Sequence, residues 1–350
     1  MNKDRNKTED RKVQLVSQRG NYHDYFARSA IRDLRIMKDI LRHYIDKAIS
    51  RLIDPERLQL MTTSLITKDL KEIMLDQAFV AQFRDEIANS DLFIAVEHKS
   101  SPNHFVVLQL GTQVFVSLYS LWTKANYTGA KSFKLPVPIM VVLYNGADDW
   151  DTQELRFQDV FEYIPKELRD HVPQFRVLII NLKQFEYGKL PGCQETRAVI
   201  ESLKRATDGT FAKNLKKIVK LLSRLPLDQR IQDLARSIIV YAGWSGGATK
   251  EQLEEAALAV WKGQEGIEMS GTIQKSFVQE CLEQGLEQGL ERGLVIGKVE
   301  AILTILKTRF NRIPSEIKKS LNKMADPVAL DSLVAHAAGC KSIKDFTESL

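Results

Sequence analysis

Residues 73–99, IMLDQAFVAQFRDEIANSDLFIAVEHK, decide the fold. Two short runs rich in aromatic and β-branched residues, 73–83 and 91–99, flank the polar stretch 84–90, which is the pattern of two strands joined by a turn. Pairing them antiparallel with Asp76 opposite Glu97 makes paired positions sum to 173, and the turn then centres on Glu86–Ile87, inside the polar stretch. Side chains alternate along a strand, so Glu97 and Lys99 share one face and His98 takes the other. Cross-strand partners place their β-carbons about 4.5–5.5 Å apart. Two carboxylates would thus converge beside one ammonium. A hard cation such as Mg²⁺ takes oxygen ligands and keeps several waters, so Asp76 and Glu97, with the main-chain carbonyl of His98, predict a metal site suited to phosphodiester hydrolysis. Lys99 would orient the attacking water or stabilise charge developing on the phosphate. Asp69, Glu72, Asp85 and Asp91 compete with Asp76 for its place, and His98 predicts a satisfied core histidine.

Working outward, Phe26, Ala30, Leu34, Met37, Leu41, Tyr44, Ala48 and Leu52 recur every three or four residues and predict one long helix from Tyr22 to Leu52, ended by Asp54-Pro55. Ser101-Pro102 reads as a helix start, with an apolar helix over 103–126 whose N-terminal amides favour an anion at the strand edge. Pro138–Tyr144 and Phe175–Leu182 are near-continuous apolar runs, as in central strands covered on both faces. The order of elements predicts an α/β layer structure.

Taken together, Tyr22–Arg28 (YHDYFAR), Glu97–Pro102 (EHKSSP), Pro138–Gly146 (PIMVVLYNG) and the Glu-Gln-Gly repeats resemble the Rpn family of recombination-promoting nucleases, also labelled putative transposase, YhgA-like. The resemblance spans roughly Tyr22 to Tyr241 plus the repeat and the helical C-terminus. It implies a restriction-endonuclease-like PD-(D/E)XK core, a mixed sheet flanked by helices, and a Mg²⁺-dependent (or Mn²⁺-dependent) endonuclease acting on double-stranded DNA in a bacterial cytoplasm. It also implies metal-binding and catalytic places for Asp76, Glu97 and Lys99, an acid from the first helix (Asp24) at the metal, and a glutamine from the helix after Lys99. Gln113 is preferred there over Gln109. The chain departs from the family in having Leu75 rather than proline before Asp76 and in keeping lysine at 99 where many relatives carry glutamine. The alternative reading is the same fold without catalysis, acting as a DNA-binding or oligomerising module. A cut-and-paste transposase is disfavoured, because it needs three carboxylates on an RNase H-like core.

Beyond Glu195 the pattern is helical. Residues 211–224 carry Lys213, Lys216, Lys217, Lys220 and Arg224 beside an apolar stripe, a candidate DNA-backbone contact or a set of lysine stems covering the core. The repeat CLEQGLEQGLERGLVIGK (281–298) sets Gly285, Gly289, Gly293 and Gly297 four apart. Each interior helical glycine costs about 0.8–1 kcal/mol, so close packing with another helix, and self-association through it, is expected. The expected organisation is a basic disordered tail (1–20), a nuclease domain (21–245), a repeat-bearing helical segment (246–300) and a small helical region (301–350).

Composition is consistent with this. The 350 residues are 44% hydrophobic with a net charge of +5, which suits a globular chain that tolerates a polyanionic partner. The first twenty residues lack the apolar segment of a secretory signal, no apolar run is expected to span a bilayer, and three scattered cysteines suggest neither disulfides nor a zinc site.

Overall fold

The computed structural model describes residues 22–61, 76–84, 91–127, 133–150, 152–261, 271–321, 324, 326–347 and 350. The expected tail and the turn at Glu86–Ile87 lie outside them. The helix expected over Tyr22–Leu52 is three helices: α1 (Tyr22–Arg32), α2 (Leu34–His43) and α3 (Lys47–Leu52). The breaks fall at two aspartates. Asp33 accepts from the Arg35 amide, and Asp46 accepts from the amides of Ala48 and Ile49. Short acidic side chains that bond the backbone locally start new helices rather than continuing old ones. Instead of ending in a loop, the chain turns directly into a strand the sequence reading missed, β1 (Ile53–Leu60), which contains Pro55. It pairs with β2 (Gln77–Phe83) with a register shift between Asp54 and Gln59, and it lies at the sheet edge, where proline is tolerated.

β2 and β3 (Asp91–Lys99) pair antiparallel with Gln77 opposite Val96 and Ala78 opposite Ala95, the expected register. The next helix, α4, runs over Val106–Tyr127; it begins four residues after Pro102, following an Asn103 turn in which Asn103 accepts from the Phe105 amide. Then come β4 (Val137–Tyr144), the short β5 (Glu154–Arg156) and β6 (Arg176–Asn181). The sheet order is β1-β2-β3-β4-β6-β5, with β3, β4 and β6 mutually parallel. Contrary to expectation, Val106–Asn126, with a mean hydropathy of 1.2, is long and apolar enough to cross a membrane by length and composition. It packs on the sheet through Val106, Val107, Leu110, Val114 and Leu118, against Phe93, Ala95 and Val142.

The opposite sheet face meets α1, α2 and the helices α5 (Gln194–Asp208), α6 (Phe211–Leu222) and α7 (Gln229–Gly246). Asp39 of α2 pins α5. The Cys193 amide donates to its Oδ2 (2.6 Å), as does Thr196 Oγ1 (3.0 Å). Burial opposes the charge, but the bonds from Cys193 and Thr196 outweigh it and hold the carboxyl below its ordinary 3.8. Its contribution is therefore present above that value and lost on acidification. Asp39→Ala is expected to cost about 1–3 kcal/mol in urea unfolding, and an unchanged midpoint would refute this reading.

Gly247, at φ +59°, ends α7, and α8 (Lys250–Trp261) adds Leu253, Ala256 and Val260 to the same core. The repeat lies in α9 (Gly271–Phe310), a helix of 40 residues. At Gly243 of α7 a β-carbon would collide with the Gly285 carbonyl, so one repeat glycine does admit a neighbouring backbone, that of its own chain. The second half of α9 builds a separate apolar cluster with α10 (Ser315–Leu321), α11 (Pro327–Gly339) and α12 (Ile343–Thr347), around Ile302, Leu306, Leu330 and Phe346. Arg309 closes it by donating to the carbonyls of Ala337 (2.6 Å) and Cys340 (2.8 Å) at the end of α11.

Candidate active site

The alternation of β3 assigns its two faces. Phe93 and Ala95 point to the α4 layer, while Leu92, Ile94 and Val96 point to the α1–α2 layer. Glu97 and Lys99 continue the first set and His98 the second. The site lies where β3 ends, beside the start of β2 and the first turns of α4.

On the α4 side, Lys99 Nζ donates to Glu97 Oε1 (2.8 Å) and to Gln109 Oε1 (3.2 Å), while Gln109 Nε2 donates to the same Glu97 oxygen (2.8 Å). The three side chains form a closed triangle. Glu97 is 3% exposed, and its other oxygen, Oε2, is buried without a hydrogen-bond partner. A buried carboxylate oxygen left unpaired is costly in a native fold.

Asp76 lies immediately before β2, where the register sets it across from Glu97. Its Oδ2 accepts from the His98 main-chain amide (3.0 Å), and its Oδ1 pairs with Arg28 of α1 (2.7 Å). Burial, followed by the neighbouring charge of Glu97, pushes its carboxyl up from 3.8 to about 6, against the pull of the His98 amide and Arg28. Asp24 adds a weaker push in the same direction.

Behind the sheet, His98 Nδ1 lies 2.6 Å from Asp24 Oδ1 and Nε2 lies 2.9 Å from Asn145 Oδ1. The Asn145 amide nitrogen donates to the Leu203 carbonyl (3.1 Å), so its oxygen faces the ring and Nε2 is the donor there. Asn145 also donates its main-chain N–H to the Lys99 carbonyl (3.2 Å). His98 is thus a satisfied buried histidine that ties α1, β3, β4 and α5 together.

Of the residues singled out in the sequence, the structure brings Asp76, Glu97 and Lys99 together. Asp24 sets its Oδ1 against His98 Nδ1 on the far face. Gln109, rather than Gln113, is the glutamine that reaches Glu97 and Lys99; Gln113 is buried one turn farther along α4, and its main-chain carbonyl accepts from Ser117. Sequence reasoning missed Arg28 and Asn145. Arg28 lies four residues after Asp24 on α1 but pairs with Asp76, and Asn145 follows directly after an apolar strand, so neither offered a signal beyond its place in YHDYFAR and PIMVVLYNG.

No solved structure and no curated protein matches the chain. Among the described residues no group of three or more His, Cys, Asp and Glu is disposed to hold a metal ion. A family model described as putative transposase, YhgA-like matches residues 21–232, from α1 into α7 and so across every residue of this site. That span is more than half of the 350 residues, and the chain belongs to the putative transposase, YhgA-like family.

Proposed function

We propose that the chain is a Mg²⁺-dependent endonuclease, also served by Mn²⁺, that hydrolyses phosphodiesters of double-stranded DNA and promotes recombination, on a PD-(D/E)XK-type core. The observation that carries this is the buried, partnerless Glu97 Oε2 beside an Asp76 whose charge its surroundings resist. Two apposed carboxylates with one oxygen unsatisfied are stabilised by an oxygen-seeking cation that retains waters. The order of a leading helix, the β2–β3 hairpin, α4 and parallel β4 agrees with that core, and family membership agrees with DNA as the substrate.

Asp76 and Glu97 would hold the ion, which when bound supplies Lewis-acid polarisation of the phosphate and a more acidic water. The protein's own groups set the rest. The His98 amide fixes the Asp76 carboxylate from the main chain. Gln109 fixes both Glu97 and Lys99. With two of its three hydrogens engaged, Lys99 keeps one for a phosphate oxygen or the attacking water. Water adds to phosphorus, one P–O ester bond breaks, and a phosphate monoester and a free hydroxyl remain. The first turns of α4 lie at the same edge, where helix amides favour an anion.

The test is nicking of supercoiled plasmid with Mg²⁺, comparing wild type, wild type with EDTA, and Glu97→Ala. Cutting by the first alone is expected. DNA binding without cutting by wild type would replace this reading with that of an inactive binding module, and equal cutting by all three would place the active site elsewhere.

A further inference from the structure

The outer side of α4 is as ordered in pattern as its inner side. Phe105, in the turn just before α4, and Leu108, Thr112, Phe115, Tyr119 and Trp122 on it follow at intervals of three and four residues, and all are exposed. Their apolar members stay between 45% and 66% exposed. The ridge continues sideways: Phe115 meets Phe175 edge-on at 5.6 Å, Phe175 stacks on Phe157 at 4.7 Å, and Phe157 meets the exposed Phe161 at 5.5 Å. No charged residue occurs between Val106 and Thr123.

We propose that this ridge is a two-fold interface at which α4 packs against α4 of a second copy of the chain. Spacing is the first argument. An alternation of three and four along about 21 Å of helix between Leu108 and Trp122 is the pattern that interdigitates with a helix of like pattern, and a two-fold axis makes one patch serve both partners. Area is the second. Five large side chains about half exposed, at ~150–250 Å² each when whole, present roughly 500 Å² of apolar surface. That is near the upper end for the largest patch on a monomer, and with its rim it approaches the ~800 Å² per partner of a standard interface. Charge is the third. A face without cations has nothing to neutralise phosphates, so nucleic acid is not its occupant.

The consequence for the site rests on the nuclease reading. Gln109 lies on α4 between Leu108 and Thr112, so pairing at the ridge carries two Glu97–Lys99–Gln109 clusters on one dimer.

The experiment is the solution mass of the full chain by light scattering at micromolar concentration, for wild type and for Leu108→Glu with Tyr119→Glu, both exposed positions. Wild type is expected at twice 39.9 kDa and the double variant at 39.9 kDa. A second measurement does not depend on that variant folding: Thr112→Cys, treated with a short bis-maleimide, is expected to give a covalent dimer that the parent chain does not. A monomeric wild type overturns the proposal, as does a dimer that survives the double variant and leaves Thr112→Cys uncrosslinked, which would move the contact to another face such as exposed Leu290 and Leu294 of α9. A monomer that floats with phospholipid vesicles overturns it in favour of a membrane surface. Plasmid cleavage separates the two readings. A dimer that never cuts defeats the nuclease and keeps the interface; a monomer that cuts does the reverse.

Discussion

Asp76→Asn is expected to melt later than wild type in metal-free buffer and to cut no DNA. A carboxyl displaced from 3.8 to about 6 destabilises the charged fold by up to about 3 kcal/mol at neutral pH. The sign follows from the displacement being upward: the stability Asp76 gives is fully present below 3.8, where the group is protonated in both states, and is lost as pH rises through about 6. Asparagine keeps the shape and still accepts from the His98 amide, but it gives up the ion pair with Arg28, whose side chain is 50% exposed and so contributes little. The variant should therefore gain most above pH 6, and the gap should close toward 3.8. Added Mg²⁺ should raise the melting temperature of wild type, because an ion that binds only the native state stabilises it, and should leave the variant unmoved. A variant that melts earlier than wild type above pH 6 would show that Asp76 is held for stability and not for binding.

His98→Ala should cause the largest loss of stability among the site residues. The ring is 2% exposed and Asn145 is 1% exposed. Removing it strips both contacts at once, leaving the Asp24 carboxylate without the ring and the Asn145 oxygen without a donor. Losing the buried bond to Asn145 and the part-buried one to Asp24 costs about 2–4 kcal/mol, so the urea midpoint should fall. Asp24→Asn, whose side chain is 24% exposed, should cost less because its amide can still bond the ring. A loss under about 1 kcal/mol for His98→Ala would mean that the ring only fills space.

Much of this arrangement was legible in the sequence because strand alternation and pairing are nearly geometric rules. Once 73–83 and 91–99 read as a hairpin, a single sum fixed which residues face one another, and the register in the structure agrees. The long first helix was misread for a local reason. Its apolar period runs unbroken through Asp33 and Asp46, and periodicity does not report that an aspartate has turned to cap the amides after it. β1 was missed because IDPERLQL shows neither strict alternation nor a continuous apolar run, and its pairing is decided by β2 across a register shift. Choosing between Gln109 and Gln113 needed the rotation of α4 about its axis, which one turn of spacing leaves open. Arg28 and Asn145 meet the site only through packing between segments distant in the chain.

The packing of α1 has a consequence for the order in which the molecule is made. Phe26 stacks on Tyr241 at 4.3 Å, and His23 Nδ1 lies 2.6 Å from the Tyr241 hydroxyl. The helix that brings Asp24 to His98 and Arg28 to Asp76 is thus seated against a residue translated more than two hundred positions later. Although Asp76, Glu97 and Lys99 leave the ribosome early, the platform that braces them is completed only when α7 has followed. An unfinished chain thus carries Asp76, Glu97 and Lys99 without the contact that seats α1, and the bracing of Asp76 by Arg28 and of His98 by Asp24 is assembled only after synthesis has passed Tyr241.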